Sequence, residues 1–384
     1  MTVKASRRGA IPPFIVMDVM RAANERAVGG DSVLHLEVGQ PGTPAPGGVL
    51  AAARDALTRE RLGYTDALGL ETLRRRIATH YGDTYGVSVD WRRVVATTGS
   101  SGAFVLAFLA AFDAGGRVAL ASPGYPAYRN ILAALGVEAV EVPVGADTRF
   151  QPTPAALDRV EGRLDGLIVA SPANPTGTMV EPEELAALTG YCADRGMRLV
   201  SDEIYHGITY ETPAETALRF DDTAIVVNSF SKYYSMTGWR IGWAVIPEDL
   251  LRPVECLAQN LYISPPAISQ FAAAAAFDCR AELDANVARY DRNRRLLLEE
   301  LPKAGFTDLA PAQGAFYLYA NVGQMTNDSD ALWRQILADC AVATTPGIDF
   351  DPGRGSRFLR FSFAGTTEDM AEAARRLIDR RGSA

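Results

Sequence analysis

An α/β fold with a largely parallel central sheet is predicted by three features of this sequence. Short β-type apolar runs recur, helical patterns separate most of them, and each run ends in a polar, glycine- or serine-containing loop. The stretches, in chain order, are VVATTGSS, RVALASPGY, GLIVASPANPTG, MRLVSDEIY and AIVVNSFSK. GAFVLAFLAAF follows the first and EPEELAALTGYCADRG the third, both with helical patterning. In open α/β sheets ligands bind outside the carboxyl ends of the strands, so these polar loops are expected to converge on one crevice.

Further along, an alanine-rich helix is expected around Phe271 to Phe277, and beyond about Ala281 the pattern changes. A charged helical stretch, AELDANVARYDRNRRLLLEEL, leads to the strand-like GAFYLYANV, a helix near Asp330 to Asp339, the strand-like RFLRFSFAG and a final helix. Strands are now farther apart, which suggests a smaller α+β lobe that the N-terminal segment joins. The expected division is a large domain over residues 46–284 and a small one from 1–45 and 285–384. A chain of 384 residues exceeds the size at which single cores stop growing, roughly 250 to 300 residues.

Composition narrows the function classes. With 48% hydrophobic and 22% charged residues, disorder is not expected. A formal charge of −8 argues against a surface that neutralises a nucleic-acid backbone. Small-molecule partners are expected instead. The four cysteines, Cys192, Cys256, Cys279 and Cys340, are widely spaced and read as reduced, buried thiols, and with only His35, His80 and His206 no metal centre is assigned. Arg7 and Arg8 before an apolar run superficially match a twin-arginine export signal, but Pro12, Pro13 and Asp18 interrupt that run. The longest apolar stretch, Ala103 to Phe112, is well short of the ~20 residues that span a bilayer. A cytoplasmic protein is expected.

The loops carry the chemistry. Gly99, Ser100 and Ser101 lie between a strand and a helix, where free N–H groups and the local dipole favour an anion. Taken alone they also read as a plain helix cap. Ser229, Ser231 and Arg240 arrive from a neighbouring strand end, and arginine's fork suits phosphate oxygens. Asp202 directly follows an apolar strand, where a carboxylate either caps the next turn or faces a cation such as a protonated ring nitrogen. Lys232 sits between hydroxyls in SFSKYYSMTGWRIGW; burial and a nearby arginine lower an amine's pKa, which lets it condense with an aldehyde as a Schiff base. Lysine, phosphate cup and acidic partner together are what pyridoxal phosphate requires. In RFLRFSF, alternation puts Leu359, Phe361 and Phe363 on one face and Phe358, Arg360 and Ser362 on the other, so Arg360 can face a cleft.

The stretch from Ser229 to Gly242 resembles the lysine signature of the class I/II aminotransferases, pyridoxal-phosphate enzymes of fold type I, and SPANPTGT, SDEIY and FLRFSFA resemble three further family blocks in the expected order. The similarity covers nearly the whole chain. It implies a fold type I transferase in which Lys232 binds the cofactor's aldehyde and moves the substrate's α-proton. Asp202 is implied to pair with the pyridine nitrogen, Asn174 and Tyr205 to bond the ring's phenolic oxygen, and Tyr125 to stack on the ring. Gly99, Ser100, Ser101, Ser229, Ser231 and Arg240 are implied to form the phosphate site. Tyr64 resembles a tyrosine that reaches the phosphate from the other subunit of a homodimer. Arg360, with the backbone of Gly39 and with Asn174, is implied to hold the substrate carboxylate. For Tyr64, Tyr125 and Asn174 the residues alone read as ordinary packing or turn positions.

The implied reaction is transfer of an amino group from an L-amino acid to a 2-oxo acid. The same fold also serves lyases, decarboxylases and synthases, and a cofactor-sensing regulator is a rival of another class, set aside because the chain shows no basic N-terminal extension large enough for a winged helix. Neither lysine nor arginine lies between Arg252 and Arg280, near the segment where dicarboxylate specialists of the family place a partner arginine. Neutral aliphatic or aromatic donors are therefore favoured over aspartate.

Overall fold

The computed structural model describes residues 3–382; residues 1–2 and 383–384 of the expected small domain lie outside them. Among the described residues the strands are β1 Leu34–His35, β2 Val94–Thr97, β3 Arg117–Ser122, β4 Glu138–Pro143, β5 Gly166–Ala170, β6 Arg198–Asp202, β7 Ile225–Ser229, β8 Gly242–Val245, β9 Asp308–Leu309, β10 Tyr317–Asn321, β11 Val342–Ala343, β12 Thr345–Pro346 and β13 Phe358–Ser362. The helices are α1 Ile15–Val28, α2 Gly47–Arg59, α3 Glu71–Tyr85, α4 Gly99–Ala111, α5 Pro126–Leu135, α6 Pro154–Leu157, α7 Pro182–Arg195, α8 Glu248–Leu261, α9 Ala267–Ala276, α10 Arg280–Glu300, α11 Ser329–Cys340 and α12 Thr367–Gly382.

Seven strands form the central sheet in the order β2-β8-β7-β6-β5-β3-β4. All neighbours pair in parallel except β8, which runs antiparallel to both β2 and β7. Strands covered on both faces read as continuous apolar runs, which is why β2, β3, β5, β6 and β7 stand out in the sequence. β4 and β8 do not. β4 is an edge strand whose residues are mostly half-buried or exposed, so EAVEVP lacks an apolar run. The short β8, GWAV, begins at the end of the lysine and arginine stretch and extends two residues beyond it.

Alternation along the strands supplies two apolar layers. Ala96, Leu167, Val169, Leu199, Val226 and Trp243 face α2, α3, α7 and α9. Val95, Leu120, Ile168, Val200, Val227 and Ala244 face α4, α5 and α8. α4 is buried along Ala103, Phe104, Leu106, Ala107 and Phe108, as its unbroken apolar sequence requires.

A four-stranded antiparallel sheet, β12-β13-β10-β9, lies in the C-terminal part of the chain. Leu359, Phe361 and Phe363 all enter its apolar cluster with Trp333 and Ile336. β1 pairs in parallel with β11, which ties the N-terminal segment to this region. The backbone N–H groups of Ile15 and Val16 each donate to the buried Asp349 carboxylate at 3.1 Å, so a side chain from the C-terminal part caps the start of α1. The expected boundary at residue 284 falls inside α10, which runs on unbroken to Glu300. Among the described residues no helix is long and apolar enough to cross a membrane.

Candidate active site

The loops beyond the carboxyl ends of β3, β5, β6 and β7, with the start of α4, meet residues of the N-terminal segment and of the small sheet around a cavity of about 260 Å³. Lys232 enters from the loop after β7. Its Nζ donates to the Gly39 carbonyl at 2.6 Å and lies 5.9 Å from the centre of the Tyr205 ring. Burial, reinforced by the positive charges of Arg360 and Arg240, pushes the amine down to about 8. At neutral pH an amine with that value is still mostly protonated, but its free-base fraction, about one-tenth, is far larger than that of an ordinary lysine.

Asp202 ends β6 and is buried. It accepts from the Tyr128 hydroxyl and from the Ile204 N–H at 3.1 Å. Burial raises the carboxyl to about 6, while those two donors and Lys232 act in the opposite direction. A cation inside the cavity would complete the compensation such a carboxylate needs.

Arg360 of β13 is almost fully buried yet lines the cavity. Nη1 donates to Asn174 Oδ1 at 2.7 Å, and Nη2 donates to the Glu37 carbonyl. Its guanidinium carbon lies 4.3 Å from the centre of the Tyr317 ring and 4.7 Å from that of Phe350. The Nε of Arg360 has no hydrogen-bond partner, so the guanidinium retains an unused donor.

At the other end of the cavity, Thr98 gives the α4 N-terminus no side-chain cap, and Ser100 and Ser101 line the cavity there. Arg240, in a left-handed conformation at φ +49°, lines it opposite and donates from Nη1 to the Thr237 carbonyl at 3.0 Å. Gly99 holds the gap between them. A Cβ on it would come within 2.4 Å of Arg240 Nη2.

Of the residues singled out in the sequence, Gly39, Ser100, Ser101, Tyr125, Asn174, Asp202, Tyr205, Ser231, Lys232, Arg240 and Arg360 all line this cavity. Gly99 stands behind it. Ser229 is not on the lining either: its Oγ lies 2.9 Å from Ser231 Oγ and 3.1 Å from the Ile241 carbonyl, so it orients Ser231 from behind. Tyr64 lies away from the cavity and is 83% exposed.

Several lining residues were not picked out from the sequence. Tyr128, in the first turn of α5, lies three residues beyond Tyr125, which precedes that helix, and their rings meet edge to face at 5.3 Å, a spacing that could have flagged it. Tyr317 shares a face with Tyr319, which pairs across the sheet with Arg360, so strand alternation could have linked it to that arginine. Phe14, Val16 and Met17 form an apolar wall. No local pattern announces their role, because only the packing of α1 brings them here.

Residues 31–377 match the family model for aminotransferase class I and II. The chain belongs to this family. A valine–pyruvate aminotransferase of Mycobacterium tuberculosis is 52% identical over 381 residues, covering 98% of each protein. A solved aminotransferase structure from Mycobacterium tuberculosis superposes with a TM-score of 0.98 at 52% identity, over 100% of both chains. The aspartate aminotransferase of Thermus thermophilus, solved with maleate, gives a TM-score of 0.93 at 30% identity over 98% of this chain and 100% of that one. The α/β architecture is that of a fold type I transferase, and the protein is an aminotransferase that moves an amino group between an amino acid and a 2-oxo acid. Class I/II aminotransferases depend on pyridoxal phosphate.

Proposed function

We propose that this aminotransferase binds pyridoxal phosphate in the cavity around Lys232 and uses a small neutral L-amino acid as donor. The observation that carries the proposal is the convergence of an amine of lowered pKa, a buried carboxylate and an arginine beside an uncapped helix N-terminus on one cavity. The donor set fits the cofactor group by group. Arg240, Ser100, Ser101 and Ser231 with the α4 N–H groups suit its phosphate, Gly99 leaving room for the guanidinium and Ser229 supporting Ser231. Asp202 suits the ring nitrogen, Tyr205 and Asn174 the phenolic oxygen, Tyr125 the ring face and Lys232 the aldehyde. When bound, the cofactor supplies an electron sink for the bond broken at the substrate's α-carbon.

The chain's own residues do the rest. Arg360 and the Gly39 backbone orient the substrate carboxylate, Asp202 keeps the ring nitrogen charged, and Lys232 Nζ takes the α-proton and returns it. The apolar wall of Phe14, Val16 and Met17, and the name of the 52% identical relative, support valine or a similar aliphatic donor with pyruvate as acceptor.

The proposal includes a division into residues 46–284 and 1–45 with 285–384, joined along α10, and a homodimer in which Tyr64 completes the partner's phosphate site. The exposure of Tyr64, an aromatic side chain, supports this. Cys192 is buried as expected, whereas Cys256, Cys279 and Cys340 are only half-buried, and all four are free, which suits a reducing, cytoplasmic setting.

Borohydride reduction of the loaded protein tests the site: a cofactor mass is expected on the peptide carrying Lys232, and none on Lys232→Ala. Incubating valine with pyruvate tests the reaction, with 2-oxo acid and alanine expected in equal amounts. Release of ammonia or carbon dioxide instead would point to lyase or decarboxylase chemistry.

A further inference from the structure

Tyr317 joins the two halves of the cavity. It is buried, and its hydroxyl lies 2.6 Å from the Tyr205 hydroxyl. Its ring lies under Arg360, with the guanidinium carbon 4.3 Å from the ring centre. A Cβ on Gly39 would come within 1.9 Å of the Tyr317 hydroxyl, and Lys232 Nζ donates to the Gly39 carbonyl at 2.6 Å. One side chain thus touches the ring-side tyrosine, the carboxylate-side arginine and the backbone that holds the lysine.

The two hydroxyls share one hydrogen bond, which can run in either direction. If Tyr205 donates to Tyr317, it presents lone pairs to the cavity. If Tyr317 donates to Tyr205, the Tyr205 hydrogen is free to point into the cavity. A negatively charged oxygen accepts only hydrogen, so it selects the second arrangement, and a hydroxyl that accepts one bond donates a second more strongly.

We propose that Tyr317 is a positioning residue of this aminotransferase, its hydroxyl setting the donor strength of Tyr205 toward the cofactor's ring oxygen and its ring seating Arg360. The inference rests on the reading given under Proposed function. A weaker Tyr205 donor leaves more negative charge on the ring oxygen, which holds the proton at Lys232 Nζ more firmly.

The test is the pH dependence of the visible absorption band of the loaded protein. In Tyr317→Phe the midpoint is expected to rise by about half a unit to one unit, the worth of one ordinary hydrogen bond. In a Tyr205→Phe background the same substitution is expected to move the midpoint no further, because its effect passes through the Tyr205 hydroxyl. Tyr317→Leu, which also removes the ring, is expected to raise the KM for the amino donor by about 3- to 30-fold over Tyr317→Phe. An unmoved midpoint in Tyr317→Phe, or an equal shift with and without the Tyr205 hydroxyl, overturns the proposal. So does loss of cofactor from both Tyr317 variants while Tyr205→Phe retains it, since a residue acting through Tyr205 cannot matter more to the ring than Tyr205. A parent protein with no visible band overturns the reading under Proposed function as well, whereas a parent band with an unmoved midpoint overturns this inference alone.

Discussion

Replacing Gly99 by alanine separates two effects that the structure puts in one place. Gly99 has φ +76°, a conformation that costs a residue with a Cβ about 1–2 kcal/mol. The added Cβ would lie 2.4 Å from Arg240 Nη2 and 3.0 Å from its guanidinium carbon. Ordinary contacts of about 3.5 Å then require the guanidinium to retreat by roughly 1 Å. The backbone cost is the same with and without ligand, so it appears in stability and cancels in affinity. The retreat of Arg240 appears in affinity: losing one hydrogen bond between charged groups, about 1.5–3 kcal/mol, weakens binding about 10- to 150-fold. Urea unfolding of the cofactor-free chain measures the first term, and titration with pyridoxal phosphate followed by absorbance measures the second. A variant that is less stable but binds the cofactor like the parent would refute the assignment of Arg240 and the α4 N-terminus to the phosphate.

Asp202→Asn is expected to lower turnover by about two to four powers of ten, because uncoupling a buried charge from its partner costs ~3–5 kcal/mol; single-turnover kinetics within a few-fold of the parent would contradict the role. Arg360→Leu is expected to raise the KM for the amino donor about 10- to 150-fold through loss of a charged hydrogen bond, read from steady-state kinetics on valine. Glu203, buried behind Asp202 and bonded through Oε1 to Ala217 N at 2.9 Å and Thr216 Oγ1 at 3.0 Å, is raised by burial from 4.5 to about 8. Between those values the folded chain keeps a proton that the unfolded chain releases, so Glu203 makes stability fall as pH rises through that window. Nearby His206, lowered by burial from 6.5 to about 3, acts in the opposite direction below 6.5. Comparing parent with Glu203→Gln at pH 5, 6.5 and 8 by urea unfolding isolates the carboxyl: the stability of the parent relative to the variant should decline steadily. A constant difference would show that Glu203 titrates normally.

Legibility in the sequence tracked burial pattern. The five parallel strands covered on both faces are visible as apolar runs, and the polar residues after them, from Ser100 to Lys232, reach the cavity because a parallel sheet presents those loops at one end. β4 is hidden by its exposed edge, and Ser229, expected in the phosphate site, turns its hydroxyl toward Ser231 and Ile241. Arg360 was legible through alternation, since its strand neighbours Leu359 and Phe361 are fully buried on the opposite face. The link from Tyr317 to Arg360 follows from the same alternation, but its contact with Tyr205, 112 residues away, and that of Phe14 with Tyr125 leave no local periodicity.

By itself the sequence determined which segments become strands and helices, and which polar groups the strand ends deliver. Those are consequences of local spacing and of the cost of burying or exposing each side chain. Only the tertiary structure decided which of these groups meet. Asp349 capping α1, Tyr128 bonding Asp202, Tyr317 between Tyr205 and Arg360, and the depth that pulls Lys232 down to about 8 all depend on distances set by packing three sheets and their helices together. Hydrogen bonds and pKa shifts depend on positions to within an ångström, and residue order does not encode positions at that precision.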